Sequence, residues 1–340
     1  MLKQADKFAS TVPSGNVLQA ANTAEKLQKV IRQLDALIGN TRLYRLNYPC
    51  GNLYTKVESQ NFFGSIKDRP AFYILKKAIE EQLIDVNTTV IESTSGNFGI
   101  SLANICRALG IRFIPVIDPN ISAEKESILH LNGCQVLKVT ERDATGGYLL
   151  NRLQAVKEYI AAHPGAYTTN QYGNPNNYLS YYYTLAEEIV QQCPKLDYLF
   201  VSVSTGGTIT GLSLRLKEHF KNIRIIGVDV EGSLIFRDKP ALRRISGMGS
   251  SIRTAFFDQA LIDDYIILSE AEIVQGCRNL YAHHHLFMGG STGAAYAAAN
   301  QLMKKLNKHT INALFIAPDA GHSYIDTIYN QKWVVQNALL

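Results

Sequence analysis

Short apolar runs recur along the chain, each closed by a Gly/Ser/Thr/Asn turn and followed by apolar positions at helical spacing. Residues 89–92 lead through Ser93-Thr94-Ser95-Gly96-Asn97 into a helical pattern over 98–109. Residues 113–117 lead through Asp118-Pro119-Asn120 to Ser122, a good N-cap, and a helix over 123–131. Residues 199–203 lead through Ser204-Thr205-Gly206-Gly207-Thr208 into a helix over 209–219, and 225–230 and 313–317 read as further buried strands. Strand–turn–helix alternation of this kind predicts an α/β protein with mostly parallel sheets and helices on both faces. Its 340 residues suffice for two such units of roughly 150 residues each. Upstream, Leu27, Ile31 and Leu34 share one face of a helix over 24–38 that Gly39-Asn40 stops, and residues 1 to about 20 read as a loosely structured extension. The chain shows no internal repeat and no low-complexity tract.

In sheets of this class ligands bind beyond the carboxyl ends of the strands, where helix N-termini present free N–H groups. The turns 93–97 and 204–208 both fall at that edge, although either one alone could be a simple tight connection. Composition narrows the partners. A net charge of +5 is spread along the chain, and no Lys/Arg run or basic-aromatic interleaving suggests nucleic acid. The five cysteines, Cys50, Cys106, Cys134, Cys193 and Cys277, are scattered and odd in number, which argues for reduced cytoplasmic thiols rather than a disulfide framework or zinc site. The polar N-terminus lacks a signal-peptide core, and no stretch approaches the ~20 apolar residues of a membrane span.

The candidate chemistry centres on Lys67, in the run Gly64-Ser65-Ile66-Lys67-Asp68-Arg69-Pro70 ahead of an amphipathic helix over 71–79. Burial and the positive potential of a helix N-terminus both lower an ammonium pKa, leaving the free amine that condensation with a carbonyl requires. One such amine, with two turns rich in N–H and O–H donors, is what an enzyme needs to hold an aldehyde cofactor bearing a phosphate, namely pyridoxal 5'-phosphate. The 204–208 turn is neither a Walker A loop nor a dinucleotide fingerprint, because the chain contains no Gly-Lys pair and no G-x-G-x-x-G. Gly289-Gly290-Ser291-Thr292-Gly293 matches the hydrolase G-x-S-x-G pattern, with Asp319 and His322 following in triad order. Those two lie three apart in one turn, and a hydrolase would leave Lys67 and both other turns without a role. His283-His284-His285 point in different directions on any regular element, so no metal site is expected there.

Taken in order, Ile38-Gly39-Asn40-Thr41, Ser65-Ile66-Lys67-Asp68-Arg69, Ser93–Asn97, Asn170-Gln171-Tyr172-Gly173-Asn174-Pro175, Ser204–Gly211 and Gly290-Ser291-Thr292-Gly293 resemble the motifs of cysteine synthases. After about residue 35 the chain looks like a fold-type II pyridoxal-phosphate enzyme, related to tryptophan synthase β and cystathionine β-synthase. The resemblance implies that Lys67 carries the cofactor through its amine and later serves as base. It implies that Asn97 contacts the ring hydroxyl, Ser204, Thr205, Gly206, Gly207 and Thr208 cradle the phosphate, and Ser291 faces the pyridine nitrogen. Ser93, Thr94, Ser95 and Gly96, with Gln171, grip the substrate carboxylate. A serine opposite the ring nitrogen makes a weaker electron sink than a carboxylate, which suits β-elimination. The resemblance further implies a homodimer, with a smaller domain over 50–168 that closes on the substrate and a larger one from 1–49 and 169–340.

Departures from cysteine synthases at Ser204, Tyr172, Arg42 and the stretch 143–152 look closer to the branch that makes N-(2-amino-2-carboxyethyl)-L-glutamate, a precursor of 2,3-diaminopropionate in siderophore and antibiotic pathways. That branch takes O-phosphoserine and the amine of glutamate. Arg152, Tyr172 and Ser204 are the candidates to hold a leaving phosphate, which needs a fixed cation and hydroxyl donors. Arg152 reads equally as a surface arginine on a helix. Arg243, Arg244 and Arg253, flanking the turn Ser246-Gly247-Met248-Gly249-Ser250-Ser251, are candidates for the glutamate carboxylates. Two alternatives stand beside this expectation: a cysteine synthase using sulfide, and a catalytically silent regulatory relative, against which retention of Lys67 counts.

Overall fold

The protein is described from a computed structural model that covers residues 15–49, 51–94, 96–306 and 310–339. Among these residues ten strands form: β1 (Leu43–Leu46), β2 (Asn52–Val57), β3 (Thr89–Ser93), β4 (Arg112–Ile117), β5 (Leu137–Lys138), β6 (Ala166–Thr168), β7 (Tyr198–Ser202), β8 (Arg224–Val230), β9 (Asp264–Leu268) and β10 (Asn312–Ala317). They assemble into a six-stranded sheet, β1-β2-β10-β7-β8-β9, and a four-stranded sheet, β5-β4-β3-β6. Every pairing is parallel except β1 with β2 at the edge. The mixed α/β architecture read from the apolar runs is the one observed. Strand β2, which a division at residue 50 would assign to the smaller unit, pairs inside the six-stranded sheet.

Both sheets are covered on both faces, and strand side chains alternate between two cores. Along β10, Ala313, Phe315 and Ala317 pack on one side, against the helices Glu270–His284 and Gly290–Leu306. Leu314 and Ile316 pack on the other, with Leu199, Val201, Ile209 and Leu212. In the smaller sheet Val90, Phe113 and Ile117 face a core with the helices Asp68–Glu80 and Asn97–Leu109, while Ile91, Ile114 and Val116 face Val156 of the helix Leu149–Ala162. These buried runs are why the strands read as continuous apolar segments rather than as alternating ones.

A helix runs over Gly15–Leu37, so part of the expected loose extension is helical, and the rest lies outside the described residues. The segment 17–29 is rich in Ala, Leu, Gln, Lys and Glu, all strong helix formers, which the turn-like residues before it obscured. No helix among the described residues is long and apolar enough to cross a membrane. Cys50 lies outside the described residues, and the other four cysteines are free thiols.

Candidate active site

Lys67 immediately precedes the helix Asp68–Glu80, in a loop bound to the carboxyl end of β10. The Ile66 N–H donates to the Pro318 carbonyl at 2.8 Å, and Ser65 pairs with Asp319. Two residues on, Arg69 is clamped. Its Nε and Nη2 fork onto Glu58 at 2.6 and 2.9 Å, and Nη1 reaches Glu188 Oε1 at 2.7 Å. Lys56 Nζ meets the same Glu188 at 2.6 Å, and the Asn40 N–H donates to it at 2.9 Å. The Gly39 of the Ile38–Thr41 motif has φ +97°, and an added Cβ would stand 2.9 Å from Glu188 Oε1. Only glycine combines that backbone with that approach. This buried ionic cluster fixes the start of the helix and therefore Lys67. Burial lowers the Lys67 pKa to about 8, against an opposing pull from the Asp319 carboxylate. Desolvation, more than the helix end, accounts for the shift.

The turn 204–208 leaves β7 at its carboxyl end and enters the helix Gly207–His219. Gly206 is left-handed at φ +92°, and side chains on Gly206 or Gly207 would strike the Phe257 ring and the Asn177 amide. The turn is pinned from outside: Ser204 Oγ donates to the Gly249 carbonyl at 3.1 Å, and Thr254 Oγ1 to that of Thr205 at 2.6 Å. First-turn N–H groups of a helix have no intrahelical acceptors. With the hydroxyls of Thr205 and Thr208 they form a donor-rich cup. Ser291 is buried in the first turn of the helix Gly290–Leu306, and its carbonyl accepts from Ser202 Oγ at 2.6 Å.

From the smaller sheet, Ser93 ends β3 and Asn97 opens the helix Asn97–Leu109. Gln171 Nε2 donates to the Ser93 carbonyl at 2.8 Å, which brings those two segments together. Thr94 is buried and Gly96 precedes the helix, whereas Ser95 lies outside the described residues. Asn97 Nδ2 crosses to the larger sheet, donating to Asp319 Oδ2 at 2.7 Å. Ser93 Oγ, Thr292 Oγ1 and Asp319 Oδ1 are buried without hydrogen-bond partners among the described residues. Arg152 is not the surface arginine of the simpler reading. It is buried, with Nε 3.2 Å from Asp118 Oδ2, and the Tyr172 hydroxyl lies within its electrostatic reach. Of the three arginines around the 246–251 turn, Arg244 meets Glu270, Arg253 meets Asp258, and Arg243 donates to Ser251 Oγ at 3.2 Å. The hydrolase arrangement does not form, since Ser291 is buried and His322 is exposed. His285 is a left-handed residue closing the helix Glu270–His284.

Two buried acids at this edge escaped the sequence reading. Glu92, one residue before the substrate-side turn, accepts from the Thr169 hydroxyl and, at 3.0 Å, from the Ser93 N–H; burial pushes its carboxyl up to about 7. Asp319 was weighed only as a triad member. In each case the signal was an acid placed at the carboxyl end of an otherwise apolar strand.

A phosphate-bearing aldehyde fits what is present. The cup on one side offers N–H and O–H donors to a phosphate, Lys67 offers a desolvated amine, and unpartnered buried hydroxyls at Ser93 and Thr292 remain for further polar atoms. Comparisons agree with that chemistry. The model of the family described as "Pyridoxal-phosphate dependent enzyme" matches residues 34–318. The N-(2-amino-2-carboxyethyl)-L-glutamate synthase of Ralstonia nicotianae is 37% identical over 287 residues, covering 84% of this chain and 85% of that protein. Among solved structures, an O-acetylserine dependent cystathionine beta-synthase from Helicobacter pylori superposes with a TM-score of 0.81 at 32% identity, over 87% of this chain and 98% of its own. A hydrogen sulfide-producing enzyme from Fusobacterium nucleatum gives 0.80 at 30% identity, with the same coverage of each chain.

Proposed function

Because the chain belongs to the pyridoxal-phosphate dependent enzyme family, we propose that it catalyses β-replacement on O-phospho-L-serine: phosphate leaves, and the amine of L-glutamate adds to give N-(2-amino-2-carboxyethyl)-L-glutamate. The observation that carries the reading is the 37% identity to a synthase of that name across most of both chains. The site has the parts such a reaction needs. The 204–208 cup and its helix N-terminus hold the cofactor phosphate. Lys67 would carry the cofactor through its amine, and Asn97 and Ser291 would offer polar groups to its ring. When bound, pyridoxal phosphate supplies an electrophilic aldehyde and an electron-accepting ring.

The substrate carboxylate is gripped by the N–H and hydroxyl donors of 93–96 and by Gln171. Arg152 and Tyr172 orient the phosphate that leaves, with Asp118 holding the guanidinium in place, whereas the Ser204 proton is already given to the Gly249 carbonyl. Lys67 removes the α-proton, a task that a desolvated amine with a pKa of about 8 performs near neutral pH. Arg243 and its neighbours receive the glutamate carboxylates. On this reading the enzyme is a cytoplasmic homodimer feeding 2,3-diaminopropionate synthesis for a siderophore or antibiotic, and the smaller unit, built on the sheet β5-β4-β3-β6, closes over the bound substrate. The likeness to a hydrogen sulfide-producing enzyme keeps sulfide as the competing nucleophile. Incubation with O-phosphoserine and either glutamate or sulfide, followed by product mass determination, tests the proposal. Glutamate should yield the adduct with release of phosphate; cysteine from sulfide, with no glutamate adduct, would make the protein a cysteine synthase.

A further inference from the structure

The backbone ladder between β3 and β6 ends where Ile91 faces Thr168. One residue further on, a side chain takes over the pairing. Glu92 Oε1 accepts from the Ser93 N–H at 3.0 Å, and its Oε2 accepts from the Thr169 hydroxyl. Gln171 Nε2 closes the ring by donating to the Ser93 carbonyl at 2.8 Å. The far side of the ring is held in turn: Asn177 Nδ2 donates to the Gln171 carbonyl at 2.6 Å, and Asn174 Nδ2 to that of Thr169 at 3.1 Å. Glu92, Ser93 and Thr169 are no more than 1% exposed. Both main-chain groups of Ser93 are therefore engaged inside the protein, and its hydroxyl is the polar group left without a partner among the described residues. Burying a carboxyl on hydrogen bonds alone is costly, and an apolar side chain would fill the same place at lower cost. The acid is there for what it joins: the end of β3 and the segment 169–171, which between them receive the substrate carboxylate.

We propose that Glu92 is a positioning residue for substrate binding: it brackets the two segments that grip the substrate carboxylate, and by occupying the Ser93 N–H it leaves the Ser93 hydroxyl to meet that carboxylate. This deepens the proposed function and rests on 93–96 and Gln171 being the carboxylate grip. Glu92 acts through Ser93 and Gln171, so it has no need to touch the substrate. Donors already aimed at a ligand cost nothing to order when it binds, whereas donors that must first be turned give back part of each bond. Without the bracket, the Ser93 N–H and the Thr169 hydroxyl become buried donors with no acceptor, and both segments must shift to satisfy them. The effect is local to the carboxylate. The 204–208 cup leaves β7 and the Lys67 loop is bound to the end of β10, both in the other sheet.

The test compares L-serine with ethanolamine, which differ only in the carboxylate, as ligands of the holoenzyme. Titration followed by the cofactor absorbance gives a dissociation constant for each, without turnover. Thr169→Val keeps the shape of the side chain and removes the hydroxyl that Glu92 receives. It should weaken L-serine roughly tenfold and ethanolamine by less than about twofold. Glu92→Leu removes both acceptors and should weaken L-serine at least as much, while Thr169→Ser, which keeps the hydroxyl, should restore wild-type binding. If Glu92→Leu does not fold, Thr169→Val decides. Equal weakening of the two ligands, or unchanged L-serine binding in a folded Thr169→Val protein, overturns the inference. So does a wild type that binds L-serine no better than ethanolamine. Neither ligand carries a phosphate and neither is glutamate, so the result is independent of the product assay: a protein that makes cysteine from sulfide would lose the proposed reaction and keep the bracket.

Discussion

Replacing Glu188 with Gln would test how the protein fixes its catalytic lysine. Glu188 carries the charge shared by Lys56 and Arg69, and its side chain is only 13% exposed. The substitution preserves shape and leaves two cations, one a fully buried lysine, facing a neutral amide. Breaking a buried pair by removing one member costs about 3–5 kcal/mol. The pKa gives a second route to the magnitude. The Arg69 and Lys56 contacts outweigh desolvation and hold the Glu188 carboxyl at about 2, against an ordinary 4.5. At about 1.4 kcal/mol per pH unit that preference for the anion is worth about 3 kcal/mol. Because the folded pKa is depressed, this contribution is present above pH 4.5 and is lost as pH falls toward 2. Urea denaturation of wild type and Glu188→Gln should therefore differ by about 3 kcal/mol at neutral pH, with the difference fading across that acid window. Adding Lys56→Met should recover part of the loss by removing one stranded charge. A neutral-pH difference below about 1 kcal/mol, or one that does not change with acid, would show that the cluster is solvated and that Arg69 does not anchor the Lys67 loop.

Glu92 should produce the opposite pH dependence: its folded pKa is raised from 4.5 to about 7, so its contribution is full below 4.5 and lost as pH rises through about 7. Glu92→Gln should flatten the fall in stability over that window, measured by urea midpoints at several pH values. Gly39→Ala should destabilise by more than about 1 kcal/mol through its backbone and the Glu188 contact together, whereas Gly64→Ala, at φ +95° with no atom within 4 Å of the new Cβ, carries the backbone strain alone; thermal unfolding of the pair isolates the contact. Arg152→Ala should raise the KM for O-phosphoserine roughly ten- to a hundredfold, from about 1.5–3 kcal/mol of lost charge-assisted bonding, and raise that for O-acetylserine much less. Equal rises would make the Arg152–Asp118 pair purely structural.

The strand–turn–helix alternation carried the α/β class because a strand buried on both faces must be apolar at consecutive positions, and that pattern is local. It was clearest at 89–97 and 199–208, where apolar run, polar turn and helix follow without a break. Lys67 and the two turns could be picked out because glycine, hydroxyl and amine chemistry is written in adjacent residues. The strands Leu43–Leu46, Leu137–Lys138 and Ala166–Thr168 left little trace, being short or at a sheet edge. The start of the helix at Gly15 was hidden by turn-like residues before it.

What only the tertiary structure decided is which charges meet. Lys56 and Glu188 are 132 residues apart, and Asn97 and Asp319 are 222 apart. No periodicity links such residues. A lysine at 56 or an arginine at 152 looks like an ordinary surface cation until the sheets close over it, and Asp319 looks like a turn residue until Ser65, Gly289 and Asn97 surround it. The local pattern determines the elements because backbone hydrogen bonding and side-chain alternation act over a few residues. The electrostatics of the site arise only when burial removes water from groups brought together from distant parts of the chain.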